Sequence, residues 1–175
     1  MAKWRDLLGM NARSAHYLRL NKQQSRHIAD DKWDTKRFLI KHKIPTPKIL
    51  AHFTSANQVE EFAWEKLTEG FVIKPVEGLG GGGIVIVRKA GKKPGEFLLM
   101  DGGKMSAQDL KLHTRDIVEG RYSRNNLADE AFIEERVKIH PKFLKFAVGG
   151  TPDVRVIVFN KVPVMAMLRV PTAES

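Results

Sequence analysis

The spacing of apolar and polar residues changes near residue 70, from helical spacing before it to strand-like alternation after it. Residues 1–30 carry scattered apolar positions and predict short helices. Asp31 begins a further predicted helix, which runs to about Lys43 with acidic residues at its start and basic residues at its end, as the helix dipole favours. The two prolines in residues 44–47 end this helix, because each disfavours the helical conformation before it.

A second amphipathic stretch follows. It predicts a helix from Asn57 to about Leu67, opened by Ser55 and ended by Gly70. The three tryptophans are spaced like anchors of a hydrophobic core: Trp4, Trp33 and Trp64.

After Phe71 the pattern is that of short strands, interrupted by one helix predicted from Ser106 to about Tyr122. The predicted strands are residues 71–75, 83–89, 96–101, 131–137, 153–159 and 162–170. This order of elements predicts an α+β fold: helices first, then a small antiparallel sheet with a helix on it, then a hairpin.

The hairpin turns near Asn160 and Lys161, and its register depends on the length of that turn. A two-residue turn pairs Asp153 with Leu168, whereas a three-residue loop over 160–162 pairs Asp153 with Arg169. The longer loop places Asp153, Arg155 and Arg169 on one face, and two cations with a carboxylate suit an anionic ligand. We therefore predict the longer loop.

Composition narrows the class of protein. The chain has 175 residues, 42% of them apolar, and no cysteine, so it can bury a core but can form no disulfide or thiolate site. No apolar run approaches the roughly 20 residues of a membrane helix, and the start lacks the pattern of a signal peptide. A soluble, cytoplasmic protein without a membrane partner is predicted. A formal charge of +10 favours polyanionic ligands such as nucleotides or nucleic acids.

Five glycines among six residues stand between two predicted strands, at 78–83. A dinucleotide fingerprint would need a helix after the glycines, and a P-loop would need a Lys-Ser/Thr pair; a strand follows instead. The segment therefore predicts a glycine-rich hairpin loop whose backbone N–H groups approach phosphates, with a merely flexible turn as the alternative. Lys74 lies near the end of the preceding strand. Its side chain is predicted either to bind a phosphate or to face solvent.

Adjacent carboxylates and charged pairs mark the later strands. Glu134 and Glu135 point to opposite faces of their strand, so one solvated and one ion-paired residue is favoured over acid–base chemistry. Asp153 and Arg155 share a strand face, as a binding surface or as a cross-strand ion pair. The six histidines show no metal-ligand spacing, and no metal site is predicted.

The order of these motifs resembles the ATP-grasp superfamily, and more closely the alpha-L-glutamate ligase-like proteins, relatives of the ribosomal-protein glutamate ligases. The residues that carry the resemblance are ADDKWDTKRFL, FVIKPVEGLGGGGIVIV, FIEERV and DVRVIVFNKVPVMAMLR, together with the start GMNARSAHYL. The resemblance implies an ATP-dependent carboxylate–amine ligase. Such an enzyme phosphorylates a carboxylate and lets an amine attack the acylphosphate, with glutamate as one candidate for the added unit.

The resemblance also implies roles for individual residues. Those expected on the ATP phosphates are Lys32, Lys74, Gly80, Gly81, Gly82 and Gly83. Those expected along the adenine edge are Glu134, Glu135, Arg136 and Val137. Asp153 is expected on the ribose hydroxyls, and the catalytic pair Arg155 and Arg169 near the transferred phosphoryl group or the substrate carboxylate.

Three regions follow from the resemblance: an N-terminal helical segment over 1–68, an ATP-grasp lid subdomain over 69–137 and the start of a second subdomain over 138–175. The family's magnesium ligands would come after the arginine hairpin. Because the sequence stops at Ser175, we expect an incomplete ATP-grasp fold that lacks these ligands and is inactive as a ligase by itself. We also expect an exposed apolar face on the hairpin, which favours a homodimer. The alternative function is a basic nucleic-acid-binding module without catalysis.

Overall fold

A computed structural model describes residues 9–78, 80–123, 126–147 and 150–171. Trp4 and Leu79, both part of the sequence predictions, lie outside the described residues. The helices are α1 (Met10–Tyr17), α2 (Gln23–Asp30), α3 (Lys32–Lys41), α4 (Ala56–Glu61) and α5 (Ala107–Val118), with 3-10 turns at Leu18–Leu20, Trp64–Lys66 and Pro141–Phe143. The strands are β1 (Ile49–Phe53), β2 (Phe71–Pro75), β3 (Val85–Ala90), β4 (Glu96–Leu99), β5 (Lys104–Ser106), β6 (Ala131–Glu135), β7 (Asp153–Phe159) and β8 (Val162–Arg169).

Helix α3 begins directly after Asp31, the capping residue that the sequence predicts. The Asp31 carboxylate accepts a hydrogen bond from the backbone N–H of Asp34 at 2.7 Å, and the helix ends at Lys41, ahead of the two prolines. This start aims Lys32 and Lys36, one helical turn apart, along one side of the helix.

Helix α4 is shorter than predicted, because the chain leaves helical geometry to bury Trp64. The Trp64 indole N–H donates to the carbonyl of Val59 at 3.1 Å, and its ring packs against Phe53 and Phe62. The Ser55 side chain makes no capping hydrogen bond. Core packing of one aromatic ring therefore outweighs the helical pattern of residues 57–67.

Six strands form one antiparallel sheet in the order β1-β6-β2-β3-β4-β5. Strand β1 was not predicted, because it follows the two prolines and has no clean alternation. It pairs with β6 through Phe53 and Ala131, and β6 pairs on its other side with β2 through Val72 and Glu134. Strand β6 is thus an interior strand, second from the edge of the sheet. The structure places β1 in the same sheet as β2. The predicted boundary at residue 68, between the N-terminal helical segment and the lid subdomain, stays a prediction.

The two faces of this sheet differ. One face packs against α5, whose start carries a capping box between Ser106 and Asp109. The buried core on that side includes Phe53, Val59, Trp64, Phe71, Ile73, Val87, Phe97, Leu110, Ile117 and Ile133. Val72 and Lys74 alternate to the opposite face, where α3 lays Trp33 and Lys36 against Phe132.

Strands β7 and β8 form a separate two-stranded sheet. Phe159 lies opposite Val162, so the prediction of a three-residue loop is wrong: the turn has two residues, Asn160 and Lys161, both with positive φ. A bulge between Ile157 and Val158, next to Pro163, restores the shifted register. Asp153 therefore lies opposite Arg169 after all.

No helix of the described part of the chain is long and apolar enough to span a bilayer.

Candidate functional site

Lys32 ties the start of α3 to the start of the glycine loop. Its Nζ donates to the carbonyls of Val76 and Gly78, each at 2.8 Å. Partial burial lowers the pKa of Lys32, and the charge of Lys74 acts in the same direction, whereas Asp129 and Asp31 oppose it. The lysine is thus a partly buried cation beside the loop, held there by its two hydrogen bonds to the backbone.

Asp129 holds the same segment from its other side. Both carboxylate oxygens accept from the backbone N–H of Glu77, at 3.1 and 3.2 Å, and one also accepts from Glu130 at 2.7 Å. Burial raises the pKa of Asp129, although these N–H donors favour the ionised form. Sequence reasoning missed Asp129, because it lies in an irregular stretch where no pattern points to its distant partner.

Glu134 stands between two lysines on the face opposite α5. Lys74 Nζ lies 2.5 Å from one carboxylate oxygen, and Lys36 Nζ pairs with the other. The side chains of Lys36 and Glu134 are 6% and 7% exposed, whereas that of Lys74 is 30% exposed. Only Lys74 of this trio therefore reaches toward solvent. Lys36 was also missed, although its four-residue spacing from Lys32 was a usable signal.

The glycine loop is anchored at its far end. The Gly83 carbonyl lies 2.9 Å from His113 Nε2, and a Cβ at Gly83 would meet the Tyr122 ring at 2.9 Å. Gly83 and the exposed Gly80 and Gly81 all have positive φ, which other residues rarely adopt. Gly82, also exposed, completes a loop whose middle is open to solvent while its two ends are held.

The backbone at the end of β6 is partly used by the sheet. The N–H of Glu135 donates to Lys48 at 2.9 Å, and that of Arg136 donates to Gly70 at 3.0 Å. The side chains of Glu134 and Glu135 divide as predicted into one buried in an ion pair and one exposed, whose carboxylate accepts from the N–H of Lys48. Val137, exposed, is the first residue beyond this pairing, so its backbone is the best placed of the three to meet a ligand.

The hairpin groups three charged residues on exposed strands. Arg169 donates to both carboxylate oxygens of Asp153, from Nε at 2.8 and 3.1 Å and also from Nη2. This pairing lowers the pKa of Asp153, with a smaller contribution from Arg155 on the same face. Among the described residues, no hydrogen bond or ion pair joins these three to Lys32, Lys36 and Lys74, hereafter the lysine cluster.

A neighbouring cleft carries charge of the wrong sign for a phosphate. A cleft of about 380 Å³ beside α3 is lined by five carboxylates, which repel anions: Asp31, Asp34, Glu77, Asp129 and Glu130. Within the described ranges, no group of three or more histidine or acidic side chains is placed to hold a metal ion. The lysine cluster and the glycine loop are therefore the part of the described site that combines positive charge with open backbone.

Comparison with known proteins gives one match. A family described as sugar-transfer associated ATP-grasp matches residues 11–175. No curated protein and no solved structure matches the chain.

Proposed function

The chain belongs to the sugar-transfer associated ATP-grasp family, and from this premise we propose that it binds ATP as part of a carboxylate–amine ligase. Membership in an ATP-grasp family indicates an ATP-dependent, ligase-type function. The finer proposal places the triphosphate on Lys32, Lys74 and the glycine loop.

The observation that carries this proposal is an excess of positive charge around Glu134, beside the glycine loop. Two lysines, Lys36 and Lys74, pair with the single carboxylate of Glu134, so this trio holds 2 − 1 = 1 uncompensated positive charge. Because an unpaired charge is costly when it is withdrawn from water, an anionic ligand beside Lys74 would stabilise the cluster. The adjoining loop offers backbone N–H groups to the same anion.

The sheet register supports a proposed position for the rest of the nucleotide. Val72 pairs with Ile86, and both lie on the same face as Lys74, which offers an apolar surface for a base. The backbone of Val137 would read the adenine edge, with Glu135 and Arg136 supporting that strand end, while both carboxylate oxygens of Glu134 stay with Lys36 and Lys74. Asp153 would bind the ribose hydroxyls after exchanging its bond to Arg169.

In the proposed reaction a substrate carboxylate attacks the terminal phosphorus of ATP, ADP leaves, and an amine then displaces phosphate from the acylphosphate. The protein would contribute mainly position and positive charge, which Arg155 and Arg169 would supply at the transferred group. Magnesium, when bound, would neutralise part of the phosphate charge. Within the described residues, no group of three or more histidine or acidic side chains is placed to hold it.

Two substrate classes are open. The resemblance of the motifs to glutamate ligase-like proteins supports glutamate as the added unit. The family's description supports a carboxylate or an amine carried on a sugar-linked molecule instead. An ADP-release assay with glutamate and with uronic acids or amino sugars separates them. The expectation that the 175 residues alone have no ligase activity stays a prediction of the same assay.

The binding proposal is tested by calorimetric titration with ATP and, separately, with a single-stranded oligonucleotide at two salt concentrations. We expect ATP to bind and Lys74→Ala to weaken binding by about 1.5–3 kcal/mol, the usual worth of a charge-assisted hydrogen bond. Lys89→Ala, an exposed lysine on β3, is the matched control and should leave the affinity unchanged. Salt-sensitive oligonucleotide binding without ATP binding would favour the nucleic-acid alternative.

A further inference from the structure

We propose that Lys36 balances the charge of Glu134 and thereby leaves Lys74 available to a phosphate. The inference deepens the proposed ATP site and rests on it. It assigns a role to a residue that touches no ligand, so Lys36 is a positioning residue.

The geometry separates the two lysines that share Glu134. Lys36 occupies one carboxylate oxygen from inside the protein, with its side chain 6% exposed and its Nζ 5.8 Å from the Phe132 ring centroid. Lys74 occupies the other oxygen and is 30% exposed. A bound anion can therefore be reached by Lys74 and not by Lys36.

Charge counting gives the two lysines different effects on a ligand. With both present, one carboxylate faces two cations, and the pair formed by Lys36 and Glu134 is already neutral. Without the charge of Lys36, Glu134 and Lys74 become a closed neutral pair. An incoming phosphate must then compete with a full carboxylate charge for Lys74, in surroundings where such pairs interact strongly.

This account predicts a rescue that simple damage to the fold would not produce. Lys36→Met keeps the length and apolar character of the side chain and removes its charge. We expect it to raise the ATP dissociation constant at least about tenfold. Adding Glu134→Gln removes the competing carboxylate while keeping an acceptor oxygen, and should restore the dissociation constant to within about threefold of wild type.

The experiment measures ATP and inorganic tripolyphosphate binding by calorimetry at 0.15 M salt, with melting temperatures recorded for each protein. Lys41→Met, an exposed lysine at the end of the same helix, is the matched control and should change the affinity less than about twofold. Glu134→Gln alone should bind ATP at least as well as wild type, while melting at a lower temperature without ATP. Lys36→Gln repeats the neutralisation if the methionine variant does not fold.

The outcomes are distinct. Recovery of affinity in the double variant supports the proposal. Unchanged affinity in Lys36→Met or Lys36→Gln, or a double variant that binds ATP no better than Lys36→Met, overturns it and leaves the ATP site standing. Failure of the wild-type protein to bind either ATP or tripolyphosphate overturns the proposed function and this inference with it.

Discussion

The six-stranded sheet and the β7–β8 hairpin use similar residues in opposite surroundings. The sheet buries Phe71, Ile73 and Ile133 completely, whereas every residue of β7 and β8 is exposed, including Val154 at 65% and Val164 at 60%. β-branched residues therefore form strands in both places, but only one of them gains the free energy of burial. A strand-like sequence pattern therefore predicts that a strand forms. It does not predict which surface, if any, packs against that strand.

Electrostatic pairing follows the same division. Glu134 is buried between two lysines, while Asp153 and Arg169 pair on the surface. A buried pair constrains its surroundings because a lost partner leaves an unpaired charge out of water, whereas an exposed pair exchanges readily with solvent or a ligand. In the proposed ATP site, the sheet would therefore hold the fixed part, and the hairpin would hold the charged pair that exchanges its partners.

The largest expected effect compares one phenylalanine from each region. Phe97→Ala removes a ring that is 1% exposed and packs edge-on against Phe71, so we expect a loss of about 3–5 kcal/mol in the free energy of unfolding. Phe159→Ala removes a ring that is 51% exposed and should cost less than about 1 kcal/mol. Urea unfolding measures both.

Equal losses at the two phenylalanines would mean that another surface covers the hairpin in solution. The expected homodimer is one such surface, and the size of the wild-type protein by light scattering would identify it.

A smaller effect concerns the hairpin turn. Lys161 has a φ of +66°, so Lys161→Gly relieves an unfavourable backbone conformation and produces the Asn-Gly pair that such turns prefer. We expect the hairpin to be stabilised by roughly 0.5–1 kcal/mol. Slower amide hydrogen exchange in β7 and β8, with unchanged exchange in β2 and β6, would show it. Unchanged protection in the hairpin would contradict the two-residue turn.

The smallest effect is a contrast between two aspartates. Burial raises the pKa of Asp129, so its ionisation lowers stability as the pH rises above 3.8 through the folded-state pKa. Arg169 lowers the pKa of Asp153, so the stabilisation from that pair is present above pH 3.8 and is lost as the pH falls through the folded-state pKa. Carboxyl carbon shifts followed by NMR should place the midpoint of Asp129 above 3.8 and that of Asp153 below it.

Arg169→Gln is the control for this contrast: it should move the midpoint of Asp153 upward and leave that of Asp129 in place. A midpoint of Asp129 at or below that of Asp153 would contradict the burial of Asp129.

Local patterns alone determined much of this protein. The cap at Asp31, the capping box at Ser106, the alternation of β2 and the opposite faces of Glu134 and Glu135 all depend on neighbours within a few residues. Such short-range signals fix where an element starts and which side chains share a face. The order of the motifs along the chain likewise pointed to the ATP-grasp superfamily, which the family match confirms.

Tertiary structure decided what lies together. Lys36 and Glu134 are 98 residues apart, and Asp129 meets Glu77 across 52, so no local period connects them. The bulge that returns Arg169 to Asp153 depends on how two strands pair around Pro163, and a turn length read from sequence could not supply it. The alternation of side chains along a strand sets which face a residue occupies. Its partner is set only by the pairing of distant strands, which depends on burial and on the need to satisfy buried charge.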